Sequence, residues 1–172
     1  MLNKKYIFML LMAVNTVFAQ NGNCFDVARK GNLSEMKMLY ANDFNVVNAI
    51  DQNGSSMLIL ACYRGNQEVA KFLIDNQADL NYVSKNGTAL MASVVKGELQ
   101  LVDELLKKGA NPNLTDDNGM TALMYAVQFK NVEMVKKLLS AKANKELKCK
   151  QNKTAFEYAV FSNNEEIINL LK

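Results

Sequence analysis

The segment TALMYAV at residues 121–127 decides the fold of this 172-residue chain, because three related segments stand at a fixed distance from it. The related segments are SMLILAC, TALMASV and TAFEYAV, which begin at Ser56, Thr88 and Thr154. Successive copies are therefore 32, 33 and 33 residues apart. The hydroxyl side chain at each start is suited to accept a hydrogen bond from a free N–H of a first helical turn. A repeat of this length predicts a stack of similar units, each packed on its neighbours.

Each copy continues through the same series of elements. A turn is expected nine residues after the Ser or Thr, at Gly65, Gly97, Lys130 and Asn163. A second helix follows, with apolar residues at helical spacing such as Leu99, Val102, Leu105 and Leu106. Asn-Gly pairs in the loops between copies favour tight turns. Lys130 stands where glycine is usual, which we expect to cost on the order of 1 kcal/mol of stability.

These motifs closely resemble the ankyrin repeat family: Gly-x-Thr-x-Leu, then Gly, then a Leu-Leu pair, then a stretch such as Gly109-Ala110-Asn111-Pro112-Asn113. The resemblance extends over roughly residues 22–172. It implies an all-α ankyrin-repeat solenoid of about five helix-turn-helix repeats joined by hairpin loops. The repeats are predicted at approximately 22–50, 51–83, 84–115, 116–148 and 149–172, with a degenerate N-terminal and a truncated C-terminal capping repeat. The family's histidine is missing, since its positions hold Ile59, Met91, Met124 and Glu157.

The resemblance also implies a function and a surface that performs it. Ankyrin arrays bind partner proteins through a concave face, with contacts from the loop tips and the exposed side of the first helices. On the first helices this pattern selects Tyr63, Arg64, Val95, Lys96, Gln128, Phe129 and Phe161. On the loop tips it selects Gln52, Asn53, Lys85, Asp117, Met120, Lys150 and Lys153. Aromatic residues are enriched at interface hot spots, although the three aromatic residues here would also be explained by packing against their own repeats.

A lysine-rich stretch lies between residues 136 and 153, where seven lysines stand against the single acid Glu146. Such a stretch could attract an acidic partner or an anionic surface. The alternative is a solvated face that keeps the protein soluble.

The N-terminal segment 1–19 is typical of a secretory signal peptide. Lys4 and Lys5 precede an apolar run over 6–14, and Val17 and Ala19 suit a cleavage site. The alternative, a membrane anchor, would need roughly 20 apolar residues. We therefore expect a mature protein of residues 20–172 that is exported to the periplasm or secreted, and an Asn- and Lys-rich composition favours a bacterial source. Without Lys4 and Lys5 the net charge falls from +3 to +1, which favours neither nucleic acid nor membrane as the partner.

Catalytic and cofactor chemistry finds little support in the sequence. The chain has no histidine, the commonest general base and metal ligand. The pair Asp116-Asp117 falls short of the six to eight oxygen ligands that calcium takes. We expect no enzyme activity and no catalytic, cofactor or metal site, and a monomer whose partner is another protein.

Three cysteines leave a second function open. Cys62 is expected to be buried in its repeat, Cys149 to be exposed in a loop, and a Cys24–Cys62 disulfide is conceivable. An exposed Met120 and Cys149 would suit a role in envelope stability or oxidant scavenging without a dedicated partner.

Overall fold

The computed structural model describes residues 24–172, which form ten α-helices and one 3₁₀ helix. The helices come in pairs, so the all-α solenoid predicted from the repeat is confirmed. The bounds are α1 (Cys24–Lys30) and α2 (Leu33–Asn42), followed by the 3₁₀ helix (Phe44–Asn48), then α3 (Met57–Arg64), α4 (Gln67–Asp75), α5 (Ala89–Lys96), α6 (Leu99–Lys107), α7 (Ala122–Gln128), α8 (Val132–Ser140), α9 (Ala155–Ser162) and α10 (Glu165–Leu171). The predicted signal peptide, residues 1–19, lies outside the described residues, as does the start of the first predicted repeat.

Polar caps start both helices of most pairs. The hydroxyls of Ser56, Thr88, Thr121 and Thr154 each accept a hydrogen bond from the backbone N–H three residues on. Asn66, Asn131 and Asn164 do the same for the second helices. Glu157 stands at the histidine position of the last pair, and its carboxylate returns to the amide of Thr154 to complete a capping box.

A column of small residues lets the first helices pack closely. Its members occupy the same position in every pair and are all 0% exposed: Ala28, Ala61, Ser93, Ala126 and Ala159. Leu58, Leu90 and Leu123 lie beside them, also buried. At the family's histidine position Ile59, Met91 and Met124 are buried as well, so apolar packing replaces the polar group there.

The predicted turns within the helix pairs all have a positive φ. The angles are 71° at Gly65, 79° at Gly97, 54° at Lys130 and 52° at Asn163. Glycine and asparagine adopt this conformation readily, whereas a Cβ on any other residue meets its own backbone there. Lys130 therefore holds the strain that the sequence predicts.

The loops between pairs are organised by a buried acceptor at their start. Oδ1 of Asp51 accepts hydrogen bonds from the amides of Asn53 and Ser55, both at 2.9 Å. Oδ1 of Asp116 accepts from the amides of Asn118 (2.8 Å) and Met120 (2.9 Å). Each of these two aspartates is 7% exposed and fixes the shape of its loop. Asp116 is thus a structural group within its own loop.

Two exposure predictions are wrong, for Met120 and Cys149, which are each 6% exposed. Met120 lies directly before the N-cap Thr121. Ser55 and Gly87 are buried at the same position, whereas the longer Lys153 there reaches out over the Phe161 ring. Cys149 occupies the loop-start position of Asp51 and Asp116, so its side chain points into the turn. The tip of the loop between α6 and α7 is therefore Asp117 and Asn118.

The burial of Cys62 is confirmed, since its side chain is 0% exposed on α3. Burial raises the pKa of this thiol to about 12, so it stays protonated at neutral pH. Cys62 and Cys149 are free thiols in this structure. The conceivable Cys24–Cys62 disulfide is therefore not formed.

Replacing Lys130 with glycine should stabilise the protein, because glycine has no Cβ to strain the left-handed turn. We expect the free energy of unfolding of Lys130→Gly to rise by about 1 kcal/mol in urea denaturation.

The matched control is Lys71→Gly, a change of the same residue type on the exposed face of α4. In a helix interior glycine costs about 1 kcal/mol, so this variant should be less stable than the wild type. A Lys130→Gly variant that loses stability as well would contradict the assigned turn conformation.

Placing a carboxylate at the start of the last loop, as in the loops that start at Asp51 and Asp116, should also stabilise the fold. In Cys149→Asp the new side chain can accept from the amides of the turn and from the Tyr158 hydroxyl, as Asp116 accepts from Tyr125 at 2.6 Å. We expect thermal denaturation to show a gain of about 1 kcal/mol over the wild type, and a loss for Cys149→Ala. If Cys149→Asp lowers the stability and Cys149→Ala leaves it unchanged, the loop that starts at Cys149 is not equivalent to the loop that starts at Asp116.

Candidate functional site

The predicted contact residues of the first helices lie on the surface of the described chain. Tyr63 is 57% exposed, Phe129 55% and Phe161 87%, and Val95 is exposed between them in the repeat order. Arg64, Lys96 and Gln128 are exposed as well. Packing against their own repeats therefore does not account for the three aromatic side chains. Burying side chains of this size against a partner would be strongly favourable.

The loop tips form a continuous edge because neighbouring loops are joined through their backbones. The amide of Asp117 donates to the carbonyl of Lys85 at 3.1 Å, and the amide of Lys150 donates to the carbonyl of Asn118 at 2.9 Å. Gly119 is required at this junction: a Cβ there would lie 3.0 Å from the Lys150 nitrogen, and its φ is +74°. The side chains at the tips are thus held in register from repeat to repeat.

The predicted loop-tip residues other than Met120 are accessible. Gln52, Asn53, Lys85, Asp117 and Lys150 are exposed, and Lys153 is half-buried. We call the surface formed by the loop tips and the exposed ends of the first helices the concave surface, after the inner side of a repeat solenoid.

Cationic and aromatic side chains contact one another on the concave surface. The Arg64 guanidinium lies 5.9 Å from the centroid of the Tyr63 ring. The Lys153 ammonium lies 5.5 Å from the Phe161 centroid and 5.8 Å from that of Tyr158. Lys153 therefore joins a loop tip to the first helix behind it. These contacts are favourable and hold the long side chains over the rings.

A cleft of about 380 Å³ opens between the last two loop tips. It brings together three predicted contact residues, Met120, Gln128 and Lys150. Its other lining residues are Asn118, Tyr125, Cys149, Gln151 and Tyr158, which the sequence pattern did not select. The repeat alignment could have found Asn118 and Gln151 as tip residues, but nothing in the sequence indicates that two tyrosines would line a cleft.

Hydrogen bonds fix the polar groups at the back of this cleft. The Cys149 thiol lies 3.3 Å from the Tyr158 hydroxyl. Burial by itself raises the pKa of Cys149, but the hydrogen bonds from Tyr158 and from backbone amides outweigh it and lower the pKa overall. The same contact raises the pKa of Tyr158 to about 12, so this phenol remains neutral at physiological pH.

The lysine-rich stretch does not form one continuous basic face. Lys136 pairs with Glu166 and Lys137 with Asp103, each at 2.8 Å, and the Lys145 ammonium donates to the carbonyl of Leu171 at 2.9 Å. Among the seven lysines, these three bind groups of other helices, whereas Lys150 and Lys153 lie on the concave surface.

Metal-binding and membrane-spanning features are both missing from the part of the chain that the structure describes. Residues 24–172 contain no group of three or more Cys, Asp or Glu side chains placed to hold a metal ion. No helix within these residues is long and apolar enough to cross a membrane.

Comparisons with known proteins agree with the architecture. The family model for ankyrin repeats (3 copies) matches residues 24–116 and 96–172. Over 99 residues the chain is 38% identical to ankyrin repeat and SAM domain-containing protein 6 of Rattus norvegicus, a match that covers 56% of this chain and 11% of that protein. Over 102 residues it is 32% identical to the nuclear factor NF-kappa-B p105 subunit of Gallus gallus, covering 55% of this chain and 10% of the relative. It is also 30% identical over 81 residues to a putative ankyrin repeat protein of Borreliella burgdorferi, covering 46% of this chain and 20% of the relative.

The aligned region thus spans only about a tenth of the first two relatives, and a fifth of the third. The likeness therefore concerns the repeat array and not the complete activities of those proteins. The family model covers nearly all of the described chain, and the helix pairs, caps and turns follow the same repeat. The chain belongs to the ankyrin repeat family.

Proposed function

We propose that this protein is an exported interaction module that binds another protein through its concave surface. Ankyrin repeats generally mediate protein–protein interaction. The observation that carries the proposal is the exposed aromatic set Tyr63, Phe129 and Phe161, placed on a surface built by stacked helices. Rings held on rigid helices lose little conformational freedom when a partner covers them, so more of the contact energy is available for binding.

The surface has the composition of a binding face. Aromatic rings and arginine, the residue types enriched at hot spots, lie together at Tyr63 and Arg64. Polar residues such as Gln52, Lys85 and Lys150 lie at the loop tips, where a rim is expected. A partner that covers the rings would also contact the polar residues of the loop tips.

The export part of the proposal rests on the N-terminal sequence. Two lysines, an apolar run over 6–14 and a suitable cleavage site before position 20 are the three parts of a secretory signal peptide. We propose that the protein is exported to the periplasm or to the extracellular medium. We also propose that its source is bacterial. The match to a Borreliella burgdorferi protein is compatible with that source.

Oxidant scavenging, the other function considered from the sequence, loses its basis. It depended on an exposed Met120 and an exposed Cys149, and both side chains are buried. Oxidation of a thiol or thioether requires access to the sulfur.

The binding proposal predicts that removing the three rings abolishes partner capture while the fold survives. The triple variant Tyr63→Ala, Phe129→Ala, Phe161→Ala changes exposed side chains only, so its circular dichroism and melting temperature should stay near the wild-type values. Affinity capture from the envelope fraction of the native cell should recover a protein with the wild type and lose it with the variant.

Two controls separate lost binding from lost folding. Met38 on α2 and Phe44 on the 3₁₀ helix are exposed apolar residues outside the concave surface, and Met38→Ala with Phe44→Ala should leave capture unchanged. Leu123→Ala removes a fully buried side chain and should cost roughly 2–5 kcal/mol, which gives the signature of a damaged core. Equal capture by wild type and triple variant would contradict the assignment of the surface.

The export proposal predicts that the protein purified from its native cell begins at Gln20. N-terminal sequencing tests it directly. A native protein that still carries Met1 would refute cleavage, whatever the outcome of the binding experiment.

A further inference from the structure

Three of the five ion pairs in residues 24–172 lie on the second-helix side of the solenoid, and the other two both involve Arg29 of α1, which binds Asp26 and Asp51. On the second-helix side, cations pair with acids of an adjacent repeat: Lys108 with Asp75 at 3.0 Å, Lys137 with Asp103 at 2.8 Å and Lys136 with Glu166 at 2.8 Å. Each of these pairs joins α4, α6, α8 or α10 to its neighbour. These three cations are therefore neutralised by this chain's own carboxylates.

The concave surface shows the opposite arrangement. Its cations are Lys30, Arg64, Lys85, Lys96, Lys150 and Lys153, and none of them forms an ion pair with any residue of 24–172. Arg64 and Lys153 instead lie beside aromatic rings. The stem of Lys96 extends toward Gly65 in the preceding repeat, where a carboxylate oxygen of Glu98 also lies.

Few acids balance these six cations. Asp117 is exposed at a loop tip, and Glu157 is exposed but directs its carboxylate to the amide and hydroxyl of Thr154. Glu98, next to the turn after α5, accepts a hydrogen bond from Gln67. Asp51 and Asp116 lie beneath the loops and are buried. The concave surface therefore carries six cations against two exposed acids.

The rest of the described chain is close to neutral. Residues 24–172 contain eighteen cationic and seventeen acidic side chains. Without the six cations of the concave surface, and without the five acids that lie on or beneath it, twelve cations and twelve acids remain. Exposed positive charge is therefore in excess on the surface that carries Tyr63, Phe129 and Phe161, and a field of this kind attracts a partner of opposite sign.

We propose that the partner presents an acidic protein segment to the concave surface, with apolar side chains that cover the aromatic rings and carboxylates that meet the unpaired cations. This inference rests on the proposed binding function and adds the chemistry of the partner. The cleft between the last two loops receives one of the carboxylate side chains, because Lys150 is the charged residue among its lining residues and Asn118, Gln128 and Gln151 supply amide donors.

An acidic protein fits this surface better than a nucleic acid does. A nucleic-acid strand carries a phosphate at every nucleotide and would bring some of them against Asp117 and Glu157. A protein segment can place a neutral or basic residue at those points. Stacking of bases would also need aromatic faces at regular steps, whereas Val95 and Gln128 interrupt the row of rings.

A selection from a random peptide library displayed on phage tests the inference even while the partner is unidentified. The full chain is the immobilised target, and the readout is the net charge of the enriched peptides. We expect enriched sequences with an excess of Asp and Glu around at least one large apolar residue. Synthetic copies of these peptides should bind at least about tenfold more weakly as the salt concentration rises from about 50 to 300 mM.

Two charge-reversal variants locate the effect. The concave triple Arg64→Glu, Lys96→Glu, Lys150→Glu should lower the affinity of the enriched acidic peptides by at least about tenfold. The matched triple Lys37→Glu, Lys71→Glu, Lys107→Glu reverses three exposed lysines on second helices and changes the net charge equally. This second triple should change the affinity by less than about twofold, because salt screens the effect of a charge beyond roughly 8–10 Å.

Several results would overturn the inference. Enriched peptides without an acidic excess, or equal losses in the two charge-reversal triples, would show that the segregated charge does not select the partner. Oligothymidylate that binds through the concave cations while no acidic peptide is enriched would assign the surface to single-stranded nucleic acid. Neutral peptides that bind the wild type and not the Tyr63, Phe129, Phe161 alanine variant would preserve the binding function and refute only the acidic partner.

Discussion

The structure depends on the close contact between successive first helices. The column Ala28, Ala61, Ser93, Ala126 and Ala159 is buried without exception, and it keeps the space between these helices too narrow for a larger side chain. Since protein interiors are close-packed, the distance between these helices also fixes the distance between the exposed side chains on their opposite face. The exposed ring of Tyr63 and the exposed Val95 and Gln128 lie on the same helices and are therefore held at the repeat spacing.

The loops extend the same register to the edge of the solenoid. Buried carboxylates at Asp51 and Asp116 shape the tips of their own loops from within, and backbone hydrogen bonds between tips link the loops that precede α5, α7 and α9. Asparagines continue the connection on the other side of the loops: Oδ1 of Asn48, Asn81 and Asn113 each accept from a backbone amide of the next repeat at 2.6–2.8 Å. Proposed contact residues and structural residues thus alternate along the same short segments.

Most of the fold could be predicted from the sequence because its physical causes recur every 32 or 33 residues. Caps, turns and buried apolar positions all show in that period, and even the strained Lys130 could be located by its place in the repeat. The exposure of Met120 and Cys149 was predicted wrongly because Met120 was treated as a tip residue and Cys149 as an exposed loop residue, whereas both side chains are directed inward. The loop-start position that holds Asp51 and Asp116 would have shown this for Cys149.

The candidate site was predictable only in part. The exposed rings can be located from their positions in the repeat, because the side chain at a given position of a helix points to the same side of the solenoid in each repeat. Contacts between neighbouring repeats or elements, such as Lys153 over Phe161 or Lys136 with Glu166, depend on rotamers and on which long side chains find partners. Whether a given lysine is paired follows from those contacts. A count of lysines along the sequence therefore placed the basic character in the stretch 136–153, whereas the structure divides that stretch between two sides of the molecule.

Hydrogen–deuterium exchange of the free protein tests most directly whether stacked first helices hold the concave surface rigid before a partner binds. The account predicts that amides of α3, α5 and α7 exchange slowest, with opening free energies within about 1 kcal/mol of the global unfolding value, and that exchange is faster toward both ends of the array. Rapid exchange throughout α7, in a protein whose α8 remains protected, would contradict the account, because the surface would then be ordered by the partner and not by the stack.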